Sequence, residues 1–130
     1  MRLLKALRPP ERSFFLGTKL STANLEAGYP TVEVALKHLN FEIRHAKTFG
    51  CPVLKIIHGY GSSGTGGKIR IAVRKRLWEM QAKKQVKAVI VGEDFSIFNQ
   101  NTLLAFQVCE ALRRDPDLER RNQGITLVVL

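Results

Sequence analysis

The sequence predicts a single α/β domain because three kinds of segment alternate along it. Short apolar, β-branched runs read as strands, stretches with apolar residues every three or four positions read as helices, and glycine or proline marks the turns between them. Its 130 residues suffice for one core and not for two ordinary ones. Hydrophobic residues make up 45% and charged residues 25%, which is ordinary globular composition.

Residues 1–18 form a basic N-terminal arm, in which Arg8-Pro9-Pro10-Glu11-Arg12 excludes a continuous helix. The domain proper runs from 19 to 130. Lys19 to Leu25 is a first strand, weakened by its Ser-Thr-Ala-Asn interior, and Gly28-Tyr29-Pro30 is a turn. Thr31 is placed to cap a helix in which Val32, Ala35, Leu36, Leu39, Ile43 and Ala46 recur at helical spacing, stopping near Gly50. Pro52 to Ile57 is a short buried strand. After a glycine- and serine-rich loop, Ile69, Val73, Leu77 and Met80 mark a helix over about 67–83. Val86 to Val91 is a third strand. A third helix is predicted from Asn101 to Arg114, with Leu104, Val108, Ala111 and Leu112 inward and its end set by Asp115-Pro116. Ile125 to Leu130 closes the domain as a strand. Strands alternating with helices imply parallel pairings joined by right-handed crossovers.

Charge is distributed unevenly. The net charge is +10, and all of that excess lies between Arg44 and Lys87, where eleven lysines and arginines meet a single acid, Glu79. Such a block attracts polyanions by releasing their counterions, so DNA or RNA is the leading partner; a merely solvated basic face is the alternative. Cys51 and Cys109 have no metal-binding spacing and form no CxxC pair, which suits reduced thiols in a cytoplasmic protein. The segment Arg2-Leu3-Leu4-Lys5-Ala6-Leu7-Arg8 is too short and too interrupted for a signal peptide, and no apolar run approaches the ~20 residues of a membrane span. No membrane association, metal site or cofactor is expected.

The chemistry concentrates where Ile56-Ile57-His58-Gly59-Tyr60-Gly61 passes through the loop into the basic helix. A strand that ends in a glycine loop and restarts as a helix aims backbone N–H groups at one point, and the helix N-terminus adds partial positive charge there. The loop is not a nucleotide-binding P-loop. Counting back from Lys68, Ser62 occupies the first glycine position, and Ile69 stands where a magnesium-binding hydroxyl belongs. A cradle for one backbone phosphate passes the same test. Three roles are open to His58: general acid or base, phosphate contact, or structural cap on a backbone carbonyl. Arg70 and Arg74 are four apart on a face that Trp78 extends, suiting phosphate contacts and aromatic stacking; in the duller reading Trp78 packs inward and the arginines are solvated.

His58-Gly59-Tyr60-Gly61, Gly64-Thr65-Gly66 and the helix Lys68-Ile69-Arg70-Ile71-Ala72-Val73-Arg74 together resemble the Smr (small MutS-related) domain, whose I-I-H-G-x-G turn precedes an L-R-x-A-V helix. Thr31-Val32-Glu33-Val34-Ala35-Leu36 is similar to the family's T-V-E-E-A-L helix, and Gly124 to Leu130 to its last strand, G-x-T-x-V-x-L. The resemblance implies a two-layer sandwich over a mixed four-stranded sheet, β-α-β-α-β-(α)-β, like the C-terminal domain of translation initiation factor three. It also implies binding to structured or branched DNA or RNA, as in repair or recombination, and in some members a nicking endonuclease. Its binding residues would be His58, Gly59, Gly61, Gly64, Gly66, Lys68, Arg70, Arg74 and Lys75.

Two departures shape the expectation. Where the family's first strand ends L-D-L-H-G, this chain has Asn24-Leu25-Glu26-Ala27-Gly28, with Glu26 at the histidine position. Binding is therefore favoured over catalysis. The alternative is a nicking endonuclease with His58 and Glu26 as catalytic residues, using a divalent metal or none. The second departure is an insertion at 93–123. Its Phe95, Ile97, Phe98 and Phe106 suggest a protein partner or self-association surface, as in a ribosome-associated or repair complex, against the plainer reading that it covers part of the sheet.

Overall fold

A computed structural model describes residues 20–61 and 66–130, so the expected N-terminal arm and Gly64 lie outside the described residues. The elements in chain order are β1 (Leu20–Asn24), α1 (Val32–Thr48), β2 (Val53–Ile57), α2 (Gly66–Ala82), β3 (Ala88–Val91), α3 (Gln100–Val108) and β4 (Ile125–Val129). Short 3-10 turns occupy Gly92–Asp94 and Glu110–Arg114. The hydroxyl of Thr31 caps α1 by accepting from the Val34 N–H at 3.2 Å, as its position predicts.

The strands form one mixed sheet in the order β1-β2-β4-β3. β1 and β2 are parallel, Leu20 opposite Val53, joined by the α1 crossover. β4 runs antiparallel to both its neighbours, with Ile125 opposite Ile57 and Thr126 opposite Val91. An antiparallel return needs no crossover helix, because it starts at the end where the preceding strand stops. That end is also where β2 stops, and so the start of β4 is carried to His58.

Alternation along the strands sends side chains to two cores. On one face Leu54, Ile56, Val89 and Val128 meet Ala35, Leu39 and Ile43 of α1 and Ile69, Val73 and Leu77 of α2. This is the expected helix layer on a sheet. On the other face Val53, Ala88, Ile90, Ile125, Leu127 and Val129 meet Phe95, Ala105, Phe106 and Leu112. The 93–123 segment thus adds a cover to the sheet's second face, and every residue of β4 is buried.

That cover corrects two expectations. Phe95 and Phe106 are core residues rather than parts of a partner surface; of the four hydrophobics expected there, Ile97 and Phe98 are exposed, Phe98 at 89%. The single helix expected to end at Arg114 is broken: α3 ends at Val108, Cys109 is extended at φ −147° and ψ 90°, and a 3-10 turn follows. Within α3 the buried positions are Thr102, Ala105 and Phe106, while Leu104 stays partly in solvent. The break seats both Cys109 and Leu112 in the core and leads the chain to Asp115. Asp115 and Asp117 then meet Lys55 of β2 at 2.8 Å and 2.6 Å. Lys55 is the one charged side chain of β2, and these two carboxylates make its burial tolerable. Burial works against its charge, but the carboxylates outweigh it and raise its pKa. No helix among the described residues is long and apolar enough to cross a membrane.

Candidate nucleic-acid interface

β2 ends at Ile57 and the backbone turns at once. The N–H groups of His58 and Gly59 both donate to the Gly124 carbonyl, at 2.9 and 3.1 Å, so the turn is pinned to the entry of β4. Gly59 at φ +78° and Gly61 at φ +111° adopt backbone that other residues rarely take. A Cβ on Gly61 would stand 3.2 Å from the Gly67 nitrogen, so the turn folds back against the first residues of α2.

His58 is fully buried, and both ring nitrogens are engaged. Nδ1 lies 2.7 Å from the Gly59 carbonyl and Nε2 lies 2.8 Å from the Thr126 hydroxyl. A carbonyl only accepts, so Nδ1 carries the hydrogen and Nε2 accepts from Thr126. The Thr126 oxygen in turn accepts from Arg74 Nε at 3.0 Å, and guanidinium nitrogens only donate. Every bond in this chain of contacts therefore has one direction. The remaining Arg74 nitrogens reach the Glu93 carboxylate in a bidentate pair at 2.8 and 3.1 Å, and the Ile125 carbonyl at 3.0 Å. Burial, against the pull of the Gly59 carbonyl and with the help of Arg74 and Arg70, lowers the His58 pKa to about 4. The ring is neutral at neutral pH and acts inside the protein as a strut for the glycine turn. On Glu93, the Arg74 pairing overcomes partial burial and holds the carboxyl below its ordinary range.

The turn also meets the end of β1. The Asn24 side chain accepts from the Glu26 and Ala27 N–H groups at 3.0 and 3.2 Å, closing the β1–α1 loop. This brings the Glu26 carboxylate against Gly59, where a Cβ would stand 3.0 Å from its Oε1. Glu26 and His58 thus flank one glycine, but from opposite situations, one side chain partly in solvent and the other sealed. Among the described residues no three His, Cys, Asp or Glu side chains converge as a metal site.

The chain is similar to the Smr domain of Thermus thermophilus MutS2, with a TM-score of 0.52 and 21% sequence identity over 85% of this chain and 96% of that one. The fold is Smr-like. No family model and no curated protein matches the sequence.

Within this Smr-like fold the expected site residues divide. His58, Gly59 and Gly61 form the turn, Gly66 opens α2, and Lys68 and Lys75 are exposed on it. Arg70 is half-buried, and its Nη1 donates to the Gln123 side chain at 3.2 Å. Arg74 does not share its setting. The residue is 8% exposed, and its guanidinium bonds Glu93, Thr126 and the Ile125 carbonyl. Residues that sequence reasoning passed over supply the supports: Thr126, Glu93, Gln123 and Gly124. One signal was present, a lone threonine within the apolar run Ile125 to Leu130, where an unpaired hydroxyl would be costly.

Proposed function

We propose that this chain is a nucleic-acid-binding domain that grips the phosphate backbone of structured or branched DNA or RNA through the His58-Gly59-Tyr60-Gly61 turn and the cations of α2. The observation that carries this reading is the set of cations on α2 beside this turn, Lys68, Arg70 and Lys75, within the 44–87 segment that holds the sequence's whole +10 excess. None of the ion pairs among the described residues engages Lys68, Arg70 or Lys75, so their charge is available to a polyanion. The turn's tight backbone and the adjoining end of α2 suit an anion by the geometry of a helix N-terminus.

The state of His58 supports binding over hydrolysis. To pass a proton to or from a phosphodiester, the ring would have to break its bond to Gly59 or to Thr126. Its contribution in this reading is to hold the Gly59 carbonyl inward, which leaves the outer side of the turn for the ligand. Fluorescence-anisotropy titrations with duplex DNA, branched DNA and structured RNA across salt concentrations test the proposal. Affinity is expected to fall with salt, by ~0.9 in log K per log unit of salt for each duplex phosphate neutralised. Lys68→Glu with Lys75→Glu lowers affinity and reduces that slope by roughly two phosphates' worth. Salt-independent binding, or an unchanged slope in the double variant, refutes the reading.

A further inference from the structure

The outward side of α2 carries more than a phosphate clamp needs. At about 100° per residue, Lys68, Ile71, Lys75 and Trp78 fall within roughly 80° of arc, opposite the buried Ile69, Val73 and Leu77. Ile71 is 64% and Trp78 51% exposed. The helix contains a single acid, Glu79, which lies about 20° beyond the Lys68 edge of this arc, while Lys68 and Lys75 flank Ile71 within it. Another ring, Tyr60, is 56% exposed in the turn that leads into the helix. Phosphates of a uniform duplex would satisfy the lysines and leave the indole in water. An unpaired base has a bare π-face, and stacking it on an aromatic ring beside cations that hold the neighbouring phosphates satisfies both kinds of side chain at once.

We propose that this stripe takes an unpaired stretch of nucleic acid, with a base stacked on the Trp78 indole and the adjoining phosphates on Lys68 and Lys75. The inference rests on the nucleic-acid reading above and narrows it to substrates that include a single-stranded segment. Charge complementarity selects the occupant, because the stripe offers two cations and apolar faces, with one acid, Glu79, at its edge. Arg74 takes no part, since its guanidinium is buried and held by Glu93.

Trp78 is the only tryptophan in the chain, so its fluorescence reports on this surface without a label. The full chain is titrated with a single-stranded oligonucleotide about twelve nucleotides long, its duplex, and an abasic strand of the same length and charge. The base-bearing strand is expected to quench Trp78 and to bind on the order of ten-fold more tightly than the abasic strand. The two variants lack that indole reporter and are followed by the anisotropy of labelled strands: Trp78→Phe keeps most of that preference, and Trp78→Ala loses it while duplex affinity stays unchanged. Equal affinity for base-bearing and abasic strands, with duplex binding intact, overturns the stacking proposal and leaves the backbone reading standing. Absence of salt-sensitive binding in all three titrations overturns both. Equal loss of duplex and single-strand affinity in Trp78→Ala, with an unchanged circular dichroism spectrum, also overturns it, because a duplex has no base to stack there.

Discussion

Acid should weaken this fold well before its carboxylates protonate, and His58 is the cause. The ordinary histidine value of 6.5 falls to about 4 in the folded chain. Between those values the unfolded chain takes up a proton on His58 that the folded chain refuses. The unfolded state then binds more protons, and stability decreases as the pH falls. At about 1.4 kcal/mol per pH unit of that gap, His58 removes about 3 kcal/mol between neutral pH and pH 4. Glu93 and Asp117 have the opposite shift, with pKa values lowered from 4.5 and 3.8 by Arg74 and Lys55 despite partial burial. Their stabilisation is complete above those ordinary values and is lost only below them, so the window from pH 6.5 to about 4.5 belongs to His58. Urea unfolding followed by circular dichroism across this window measures the slope, and His58→Gln should abolish most of it. If the variant does not fold, the imidazole proton shifts of the wild-type chain supply the answer by NMR. A His58 ring that titrates near 6.5, or a wild-type stability that is flat from pH 6.5 to 4.5, refutes the sealed neutral ring.

The two arginines of α2 should separate cleanly in stability. Arg74→Met strands the Glu93 carboxylate and leaves the Thr126 hydroxyl and Ile125 carbonyl without their donor, costing about 3 kcal/mol in urea unfolding. Arg70→Met, which loses one contact to a neutral amide, changes stability by less than about 0.5 kcal/mol; equal effects would contradict the assigned roles. On the other face, Lys55→Met leaves Asp115 and Asp117 without their shared cation and costs about 3 kcal/mol at neutral pH. That penalty should shrink in acid as Asp117, whose carboxyl Lys55 holds below its ordinary range despite partial burial, takes up its proton, and a pH-independent penalty measured in the same unfolding series would rule out the ion-pair account.

Much of the fold was legible from local signals. The Thr31 cap, the apolar spacing of α1 and α2 and the β-branched runs of β2 to β4 each act within a few residues, and each predicted its element to within about two positions. The break at Cys109 was less legible, because helix periodicity continues through Leu112 while Lys55, sixty residues earlier in the chain, draws Asp115 inward. Phe95 and Phe106 misled for a similar reason: the composition of a segment shows that it is apolar and does not show which sheet face awaits it.

The site divides along the same line. The sequence by itself determined the glycine turn, the histidine at its start and the block of positive charge behind it, since these depend on residue type and short spacing. Tertiary structure decided what each side chain does there. By returning antiparallel between β2 and β3, β4 brings Thr126 and Gly124 to His58 and carries Glu93's partner Arg74 into the interior. Two arginines one turn apart, identical in the sequence, thus come to differ through contacts that span about fifty residues: one braces the turn from within, the other remains near its surface.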